Sequence, residues 1–574
     1  LLFKLLSYVS PYKWMFYTTI FISICFGVLS TCRPLLIQYA FDNYIMENNL
    51  TGLTQIIFVL FILLLFEAYF QYIFIYRSNY LAQKIIQDLR VEVFGKIINF
   101  HVTYFDKTPT GQLITRVISD IESIASIFSQ GLLVVFGDLF KMCLIICCMF
   151  LVSWELTLIS LMFLPFLIFA TIIFQKYMRI AFLDVRKYIS RINVFVFEHL
   201  IGMDIVQSFA QENTTLMNFK KLNSLHRGAH IKTILYFSIF LPIVDVFSAI
   251  AMGLVVWYGT FNILSDGSIT VGQIVAFILF INMLFRPLRA IADRFNILQM
   301  GLVAAARVFD VINQKIKQDV NPVSTRNKSK ILVGKIKFEN VCFSYKKNEP
   351  VLRDLSFEIP KNNTLAIIGP TGSGKTTIIN LIMKWYDVHA GNISINNQNL
   401  NTIDLNILRQ GVGVVLQNSF FLQDTLLNNI KFFNNISDDA VYRAVQEVGL
   451  EDFINKFPNK YNYHIGARGM GLSEGEKQLV SFLRTYLLNP PYLILDEATS
   501  SMDPITEKLI QHAIKKITKN RTSIIIAHRL STIQYADKIL VLEKGQLIET
   551  GTHSELIDLN GRYAHYYHQQ FISH

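Results

Sequence analysis

Charged residues are scarce in this sequence, and their scarcity is the first guide to its class. Asp, Glu, Lys and Arg make up 17% of the 574 residues, against about 25% in soluble proteins, while apolar residues make up 52%. The six cysteines lack metal-ligand spacing, so we interpret them as buried small hydrophobes. The net charge of +11 comes without a basic stripe carrying interleaved aromatics, which disfavours nucleic-acid binding. No cleavable signal peptide is evident. A membrane protein is the first interpretation.

Long apolar runs lie almost entirely before about residue 290, and the remainder alternates short apolar runs with polar turns. Six stretches are about 20 residues long, enough to cross a bilayer core. They are centred near Ile24, Phe66, Ile145, Pro165, Val255 and Phe280. We therefore predict a polytopic α-helical membrane domain with six transmembrane helices over residues 1–320, a linker over 321–335 and a soluble α/β domain over 336–574.

The distribution of Lys and Arg predicts the orientation. Residues 43–54, 153–156 and 262–270 contain neither, whereas residues 77–130 and 176–232 contain many. Because cytoplasmic loops are enriched in these cations, the N-terminus and the soluble domain are predicted to be cytoplasmic. The two basic segments keep helical spacing of apolar residues and are interrupted near residues 108–113 and 201–204, which predicts long cytoplasmic hairpins whose tips contact a soluble domain.

Ionisable residues inside the apolar spans are candidates for function. They are Arg33, Glu67, Asp138, Lys141, Asp245, Arg286 and Arg289. Arg286 and Arg289 flank Pro287 and are either snorkelling anchors or substrate contacts. Arg33 and Glu67 lie deeper, on consecutive spans, and are either a structural pair or the lining of a cavity for an amphipathic substrate.

A phosphate-binding loop follows the predicted strand LAIIG. The stretch GPTGSGKTT matches G-x-x-x-x-G-K-[ST], in which backbone N–H groups surround phosphates. Lys375 is expected at the β and γ phosphates, and the Thr376 hydroxyl at Mg²⁺. The predicted ATP-binding residues here are Gly369, Pro370, Thr371, Gly372, Ser373, Gly374, Lys375, Thr376 and Thr377.

Two further apolar strands end in residues suited to phosphate chemistry. The run YLILDEATS ends in Asp496 and Glu497. At the end of a parallel strand that neighbours the loop, Asp496 can hold a metal's water shell and Glu497 can polarise an attacking water. The run SIIIAHRLS ends at His528, which could contact a γ-phosphate. A solvated strand end is the alternative for each.

The order and spacing of these motifs resemble those of ABC exporter half-transporters of the bacterial multidrug-resistance-like and lipid-flippase type. GPTGSGKTT resembles the Walker A motif, LILDE the Walker B motif and LSEGE the signature loop. The resemblance implies an ABC-type P-loop ATPase domain that uses ATP and Mg²⁺. It further implies that Tyr345 stacks on adenine, that Gln417 senses Mg²⁺ and takes part in catalysis, and that His528 is the switch histidine. Residues 500–503 would form the D-loop, and residues 104–124 resemble the first coupling-helix region.

The signature loop departs from the family pattern LSGGQ. Ser473 and Gly475 are kept, whereas Glu474 and Glu476 replace glycine and glutamine. In the family this loop contacts the ATP bound by a second subunit, so the resemblance implies a second half-transporter as partner, either identical or related. Carboxylates near a γ-phosphate repel it unless a cation neutralises them.

The expected function is ATP-driven export or flipping of a hydrophobic or amphipathic compound, drug-like or lipid, by alternating access in a dimer. The expected location is the bacterial inner membrane, in contact with its lipids. An importer is disfavoured because importers usually keep the membrane and ATPase domains on separate chains. A nucleotide-gated channel or regulator on the same scaffold is the other alternative.

Overall fold

The computed structural model describes residues 2–265, 269–314, 333–346, 348–417, 419–496, 504–526 and 533–571. The chain divides into two compact units. The first comprises Leu1–Asn99 and Thr108–Lys315, and the second comprises Phe100–Lys107 and Ile316–His574. A short piece of the N-terminal half therefore belongs to the same unit as the C-terminal half.

Six long helices form most of the described first unit. They are α1 (Lys13–Ala40), α2 (Leu50–Ile97), α3 (Leu133–Val152), α4 (Leu164–Ile201), α5 (Glu212–Ser265) and α6 (Val271–Asn313). Shorter helical segments are Leu2–Ser7, Ser10–Tyr12, Phe41–Ile45, Thr110–Thr115, Arg116–Asp120, Ile121–Ser126, Ile127–Leu132, Trp154–Leu161 and Met203–Ser208. Helix α2, with 48 residues, is about 72 Å long at 1.5 Å per residue, more than twice a bilayer core of about 30 Å.

Within the described residues, five helical segments are long and apolar enough to cross a membrane. They are Ser10–Ile45, Leu50–Ile97, Thr110–Val152, Trp154–Ile201 and Glu212–Ser265. The sixth predicted span falls on α6, whose apolar part, Val271–Pro287, is shorter than the other five. The helical membrane domain is therefore confirmed, whereas the count of six spans stays a prediction.

The cysteines do not pack as predicted. All six are free, Cys143 and Cys147 are exposed on α3, and the other four are only partly buried. The prediction of buried thiols is therefore wrong. An apolar run in a soluble protein faces a protein core, but in a membrane helix it can face lipid instead.

Contacts between distant parts of the chain fix the long helices. The Phe174 ring on α4 stacks on Phe240 of α5, with centroids 4.1 Å apart and planes 13° apart. Asp42, in the segment Phe41–Ile45, accepts hydrogen bonds from the Thr270 hydroxyl at 2.9 Å and the Gly272 N–H at 3.0 Å. These two bonds join the end of α1 to the start of α6.

Two sheets build the described second unit. The strands are β1 (Ile336–Ser344), β2 (Pro350–Ile359), β3 (Thr364–Ile368), β4 (Ala390–Ile395), β5 (Gln398–Asn399), β6 (Val412–Val415), β7 (Tyr492–Asp496), β8 (Thr522–Ile526), β9 (Lys538–Glu543) and β10 (Gln546–Gly551). A four-stranded antiparallel sheet has the order β2-β1-β4-β5. A six-stranded sheet has the order β10-β9-β3-β8-β7-β6 and is parallel except for β10.

Helices surround these sheets. The longer ones are α7 (Lys375–Ile382), Asp438–Val448, α8 (Glu474–Leu488), α9 (Pro504–Thr518) and Arg562–Phe571. The shorter ones are Val102–Lys107, Leu400–Thr402, Leu405–Gly411, Leu426–Lys431, Glu451–Asn455, Lys460–Asn462, Ala467–Gly469 and His553–Asp558. Strands β7 and β8 are buried along their whole length, which explains the apolar runs LIL and III within them.

The strand that carries Asp496 does not lie directly beside the strand of the phosphate loop. Strand β8 lies between them. The register nevertheless brings both to one level, because Ile367 of β3 and Asp496 of β7 both pair with Ile526 of β8. Parallel strands end at the same edge of a sheet, and the loop after β3 and the carboxylate of β7 therefore meet there.

Candidate nucleotide-binding site

The loop between β3 and α7 has the backbone that a phosphate cradle needs. Gly369, Gly372 and Gly374 have φ values of +155°, +81° and +104°, which side chains larger than glycine adopt only with strain. Gly374 caps the N-terminus of α7, and a Cβ atom there would lie 2.6 Å from a methyl group of Leu352. The sequence therefore folds into a tight turn that leaves the first N–H groups of α7 free to bind an anion.

Lys375 closes this loop from inside. Its ammonium donates to the carbonyl oxygens of Gly369 at 2.7 Å and Pro370 at 3.0 Å, and the residue is only 8% exposed. The hydroxyl of Ser373 is buried without a hydrogen-bond partner. A buried cation, an unpaired buried hydroxyl and a helix N-terminus together fit the phosphates of a nucleotide.

Asp496 is the carboxylate that faces this loop. Burial raises the pKa of Asp496, and the nearby Lys375 partly offsets that rise. Burial likewise lowers the pKa of Lys375, and Asp496 partly offsets that change. Both groups are thus less favourable in their charged forms than in water, and a bound metal–phosphate group would supply the missing opposite charges.

Tyr345 is the predicted adenine contact. Its hydroxyl accepts a hydrogen bond from the Asn380 amide at 2.7 Å and lies 3.3 Å from the Thr377 hydroxyl, both on α7. Its ring packs edge-on against Phe343 and Tyr386, with centroids 4.9 Å away in each case. The residue remains 45% exposed, which leaves ring surface for a base.

Sequence reasoning missed Tyr386. Besides contacting Tyr345, this side chain donates a hydrogen bond to Asp106 in the short helix Val102–Lys107. Burial raises the pKa of Tyr386, and the hydrogen bond to the Asp106 carboxylate raises it further. The only sequence signal was an aromatic pair, Trp385 and Tyr386, shortly after α7, and such a pair is more often part of a core.

The signature loop is organised by a capping box at the start of α8. The Ser473 hydroxyl accepts from the Glu476 N–H at 3.3 Å, and a Glu476 oxygen accepts from the Ser473 N–H at 2.8 Å. The other Glu476 oxygen lies 2.6 Å from the Lys456 ammonium, and Glu474 lies 2.7 Å from Lys477. Each carboxylate that departs from the family pattern therefore has its own lysine.

Arg484 of α8 connects the signature helix to the segment after Gln417. Its guanidinium donates to the carbonyls of Asn429 at 2.6 Å and Phe420 at 2.7 Å, and it lies 4.6 Å from the ring centres of Phe421 and Phe432. Burial lowers the pKa of Arg484 to about 10, so the group stays charged at neutral pH. Gln417 itself is exposed just beyond β6.

Several predicted site residues fall outside the described part of the chain. Glu497, His528 and the D-loop residues 500–503 are among them, although β7 and β8, which lead into Glu497 and His528, have the predicted strand structure. Their predicted roles therefore remain predictions.

In the first unit, Arg33 and Glu67 form an ion pair with a nitrogen–oxygen distance of 3.5 Å. The Glu67 oxygen that faces Arg33 is buried and makes no hydrogen bond. Nearby on α3, the Lys141 ammonium lies 5.2 Å from the Phe26 ring centre. This ion pair agrees with the interpretation of Arg33 and Glu67 as a structural pair. Their role in lining a substrate cavity stays a prediction.

A bundle of apolar helices followed in one chain by an α/β domain with a phosphate loop defines a membrane-embedded ATPase. Residues 16–288 match the model of the ABC transporter transmembrane region, and residues 352–500 match the ABC transporter model. With the full-length relatives described next, these matches show that the chain belongs to the ABC transporter family.

The chain is 34% identical to YknV of Bacillus subtilis, named as an uncharacterised ABC transporter ATP-binding protein, over 98% of this chain and 93% of that protein. It is also 34% identical to a Staphylococcus aureus protein named provisionally as a multidrug export ATP-binding/permease protein, over 98% and 99%. The structure of a bacterial Atm1-family ABC exporter with ATP bound superposes with a TM-score of 0.81 at 25% identity, over 97% and 99%.

These matches confirm the predicted class, an ABC exporter half-transporter. The chain is an integral membrane protein that binds nucleotide and couples an ATPase to transport.

Proposed function

We propose that two such chains form an exporter that moves a hydrophobic or amphipathic compound out of the cytoplasm by alternating access. The observation that carries this proposal is the signature loop. Ser473 stands at the N-terminus of α8, held by the capping box, while the chain's own phosphate loop is closed by Lys375 and faces Asp496. One chain thus offers two different halves of an ATP site, and two chains arranged head to tail complete two sites.

In each site, one chain holds ATP with Tyr345 and the loop from Gly369 to Thr377. A bound Mg²⁺ would supply positive charge that offsets the charge of the phosphates. Thr376, Gln417 and Asp496 are the residues that would hold it. Glu497 then orients and polarises the attacking water, and His528 contacts the γ-phosphate.

The second chain closes the site with its signature residues Ser473, Glu474, Gly475 and Glu476. The Ser473 hydroxyl and the backbone at Gly475 approach the γ-phosphate, and Lys456 and Lys477 limit the repulsion from the two carboxylates. The partner is an identical or a related chain. Closure of the ATP sites drives the membrane domains, and hydrolysis resets them.

The proposed orientation places the N-terminus and the ATPase domain in the cytoplasm, in agreement with the basic segments 77–130 and 176–232. The bacterial relatives support a location in the bacterial cytoplasmic membrane. The division into a membrane domain over 1–320, a linker over 321–335 and an ATPase domain over 336–574 remains part of this proposal, with six spans.

The substrate class is hydrophobic or amphipathic, and both a drug-like compound and a lipid fit it. Support comes from the name of the S. aureus relative, which refers to multidrug export. Arg33 and Glu67 are the proposed polar contacts within the membrane.

The experiment that tests this proposal measures ATPase activity and particle mass of the chain in lipid nanodiscs, beside Glu497→Gln. We expect a dimer-sized particle whose turnover is lost in the variant while nucleotide binding is kept. Glu451→Gln removes an exposed carboxylate of the same domain and serves as the control. Equal turnover in wild type and Glu497→Gln would overturn the catalytic assignment, and ion flux that continues without hydrolysis would indicate a channel instead.

A further inference from the structure

The first unit contains a cavity of about 440 Å³ that the proposed function has not used. Its lining comes from α4, α5 and α6 and from the helical segments around Asp120 and Ser123. Ligand pockets usually measure roughly 300 to 1,000 Å³, so this cavity has room for a small organic molecule.

The charged lining of this cavity is predominantly cationic. Arg179 and Arg186 come from α4 and Arg307 comes from α6, against the single carboxylate of Asp120. Arg307 lies 3.3 Å from Asp120 and forms an ion pair with it. Among the described residues, no hydrogen bond or ion pair engages Arg179 or Arg186, and both are exposed to solvent. Two guanidiniums are thus available to a ligand.

The two available arginines lie on one face of the helix. They are seven residues apart, or two turns, which corresponds to roughly 10 Å along the axis. Gln175 and Phe182 share this face and also line the cavity. A single acidic group between the arginines, or an extended one, can therefore meet both, and guanidinium groups bind carboxylate, sulfonate and phosphate oxygens in pairs.

The rest of the lining suits a flat apolar body. Phe174, Phe182 and Phe237 contribute aromatic surface, and Met178 and Met300 contribute flexible thioethers. The Phe174 ring is held in place because it stacks on Phe240 and packs edge-on against Phe237. Methionine adapts to ligands of different shape, and fixed aromatic rings give them a stacking surface.

Asp120 adds one more requirement. The residue is 6% exposed, and its Oδ2 atom is buried without a hydrogen-bond partner, while Oδ1 faces Arg307. Such an oxygen is satisfied by a ligand that donates an N–H or O–H.

We propose that this cavity binds amphipathic organic anions, with the acidic group at Arg179 and Arg186, the apolar body against the aromatic and methionine side chains, and a donor at Asp120. This inference rests on the proposed function and narrows its substrate class. The predicted orientation puts both arginines on the cytoplasmic side, where a compound to be exported first meets the membrane domain. The same chemistry can come from a soluble organic anion or from an anionic lipid headgroup.

The test uses two dyes with the same ring system. 8-Anilinonaphthalene-1-sulfonate carries a sulfonate and an N–H donor, and N-phenyl-1-naphthylamine lacks only the sulfonate. Both are titrated by fluorescence against the full chain in phosphatidylcholine nanodiscs without nucleotide, with empty nanodiscs subtracted. We expect saturable binding of the sulfonate at least fivefold tighter than that of the neutral dye. Replacing both arginines in R179Q/R186Q should weaken the affinity for the sulfonate dye at least fivefold and leave the affinity for the neutral dye unchanged.

Two further variants keep the test independent of folding. Lys187→Gln removes a neighbouring exposed charge of α4 that does not line the cavity, and it should leave the affinity for the sulfonate unchanged. R179K/R186K keeps the charge and should retain part of the affinity. The proposal would be overturned if wild type bound the two dyes with equal affinity. It would also be overturned if R179Q/R186Q lost affinity for both dyes to the same extent.

Nanodiscs that contain phosphatidylglycerol separate the two sources of the anion. If phosphatidylglycerol weakens binding of the sulfonate dye to wild type but not to R179Q/R186Q, the site binds lipid headgroups. If phosphatidylglycerol does not weaken dye binding to wild type, the site binds soluble anions. Because no step requires ATP, a negative result would leave the proposed ATP-driven export standing. A failure of that export would not alter the binding result.

Discussion

The Lys456 ammonium lies 2.6 Å from Glu476, whose other carboxylate oxygen accepts the N–H of Ser473 at 2.8 Å. One side chain therefore caps α8 and is neutralised by a lysine 20 residues earlier in the sequence. Glu476 is 7% exposed, whereas the side chain of Lys456 is 68% exposed. The cap is consequently the stronger part of this arrangement, because exposed ion pairs contribute little to stability.

Replacing Glu476 should loosen the first turn of α8. Glu476→Ala removes the capping acceptor, which typically costs about 1 kcal/mol and corresponds to roughly fivefold faster amide exchange in that turn. Glu476→Gln keeps an acceptor and should change exchange by less than about twofold. Hydrogen–deuterium exchange of residues 474–477 measures this. Glu474→Gln is the control, because Glu474 takes no part in the cap, and equal exchange in Glu476→Ala and wild type would contradict the assignment.

Lys375→Ala should weaken nucleotide binding. Removing a charged hydrogen-bond donor costs roughly 1.5 to 3 kcal/mol, which is about ten- to a hundredfold in the dissociation constant. Calorimetric titration with ATP measures the change. Lys361→Ala, which removes an exposed lysine before β3, is the matched control and should bind as wild type does. Similar affinities of the two variants would place the phosphates elsewhere.

Asp496 predicts a pH dependence of stability in the absence of nucleotide. Because burial raises the pKa of Asp496, its contribution to folding is fully present below the ordinary pKa of aspartate and is lost as pH rises through the raised value. Asp496→Asn should therefore raise the unfolding temperature at neutral pH, and the gain should shrink toward acidic pH. Thermal unfolding of both proteins between pH 4 and 8 checks this, and a gain that does not change with pH would contradict it.

The same substitution should act in the opposite direction on the metal complex. A proton on Asp496 competes with Mg²⁺, so the affinity of wild type for Mg–ATP should fall as pH is lowered toward the raised pKa. Affinity for Mg–ATP in Asp496→Asn should be weak and should vary little with pH over the same range. Binding measured with EDTA in place of Mg²⁺ provides the control.

Arg33 and Glu67 should show energetic coupling. We expect a double-mutant cycle of Arg33→Met and Glu67→Leu to give about 1 kcal/mol between them, since each single change leaves the other charge unpaired in an apolar setting. Thermal unfolding of the four proteins in nanodiscs measures this. ATPase stimulation by substrate in Arg33→Ala and Glu67→Ala then decides their role: reduced stimulation supports the cavity prediction, and unchanged stimulation identifies a purely structural pair.

Much of the architecture could be predicted because it depends on local pattern. The apolar runs gave the helical membrane domain, and the phosphate loop, with its glycines at positive φ, folds as its spacing requires. The order of parallel strands was harder, because a strand between β3 and β7 can come from any later part of the sequence. The cysteines were misjudged because an apolar residue on a membrane helix packs against lipid as readily as against protein.

The missed site residues share one property, which is that their roles depend on contacts between distant segments. Lys456, in the segment that follows Glu451–Asn455, neutralises Glu476 of the signature helix. Tyr386 donates a hydrogen bond to a residue 280 positions earlier. Local sequence patterns do not predict contacts between residues so far apart in the chain. Arg179 and Arg186 were counted only as basic residues of a cytoplasmic segment, since the cavity they line also needs residues of α6.

The hydrogen bond from Tyr386 to Asp106 affects how this protein can be made and dissected. The short helix Val102–Lys107 is translated more than 200 residues before the rest of the unit to which it belongs. During synthesis it can pack only after the strands and helices around Tyr386 have been translated and folded. A fragment that starts at residue 333 lacks this helix altogether and leaves the tyrosine hydroxyl without its acceptor. A peptide of residues 100–107, added to that fragment, would supply the missing Asp106 acceptor by complementation.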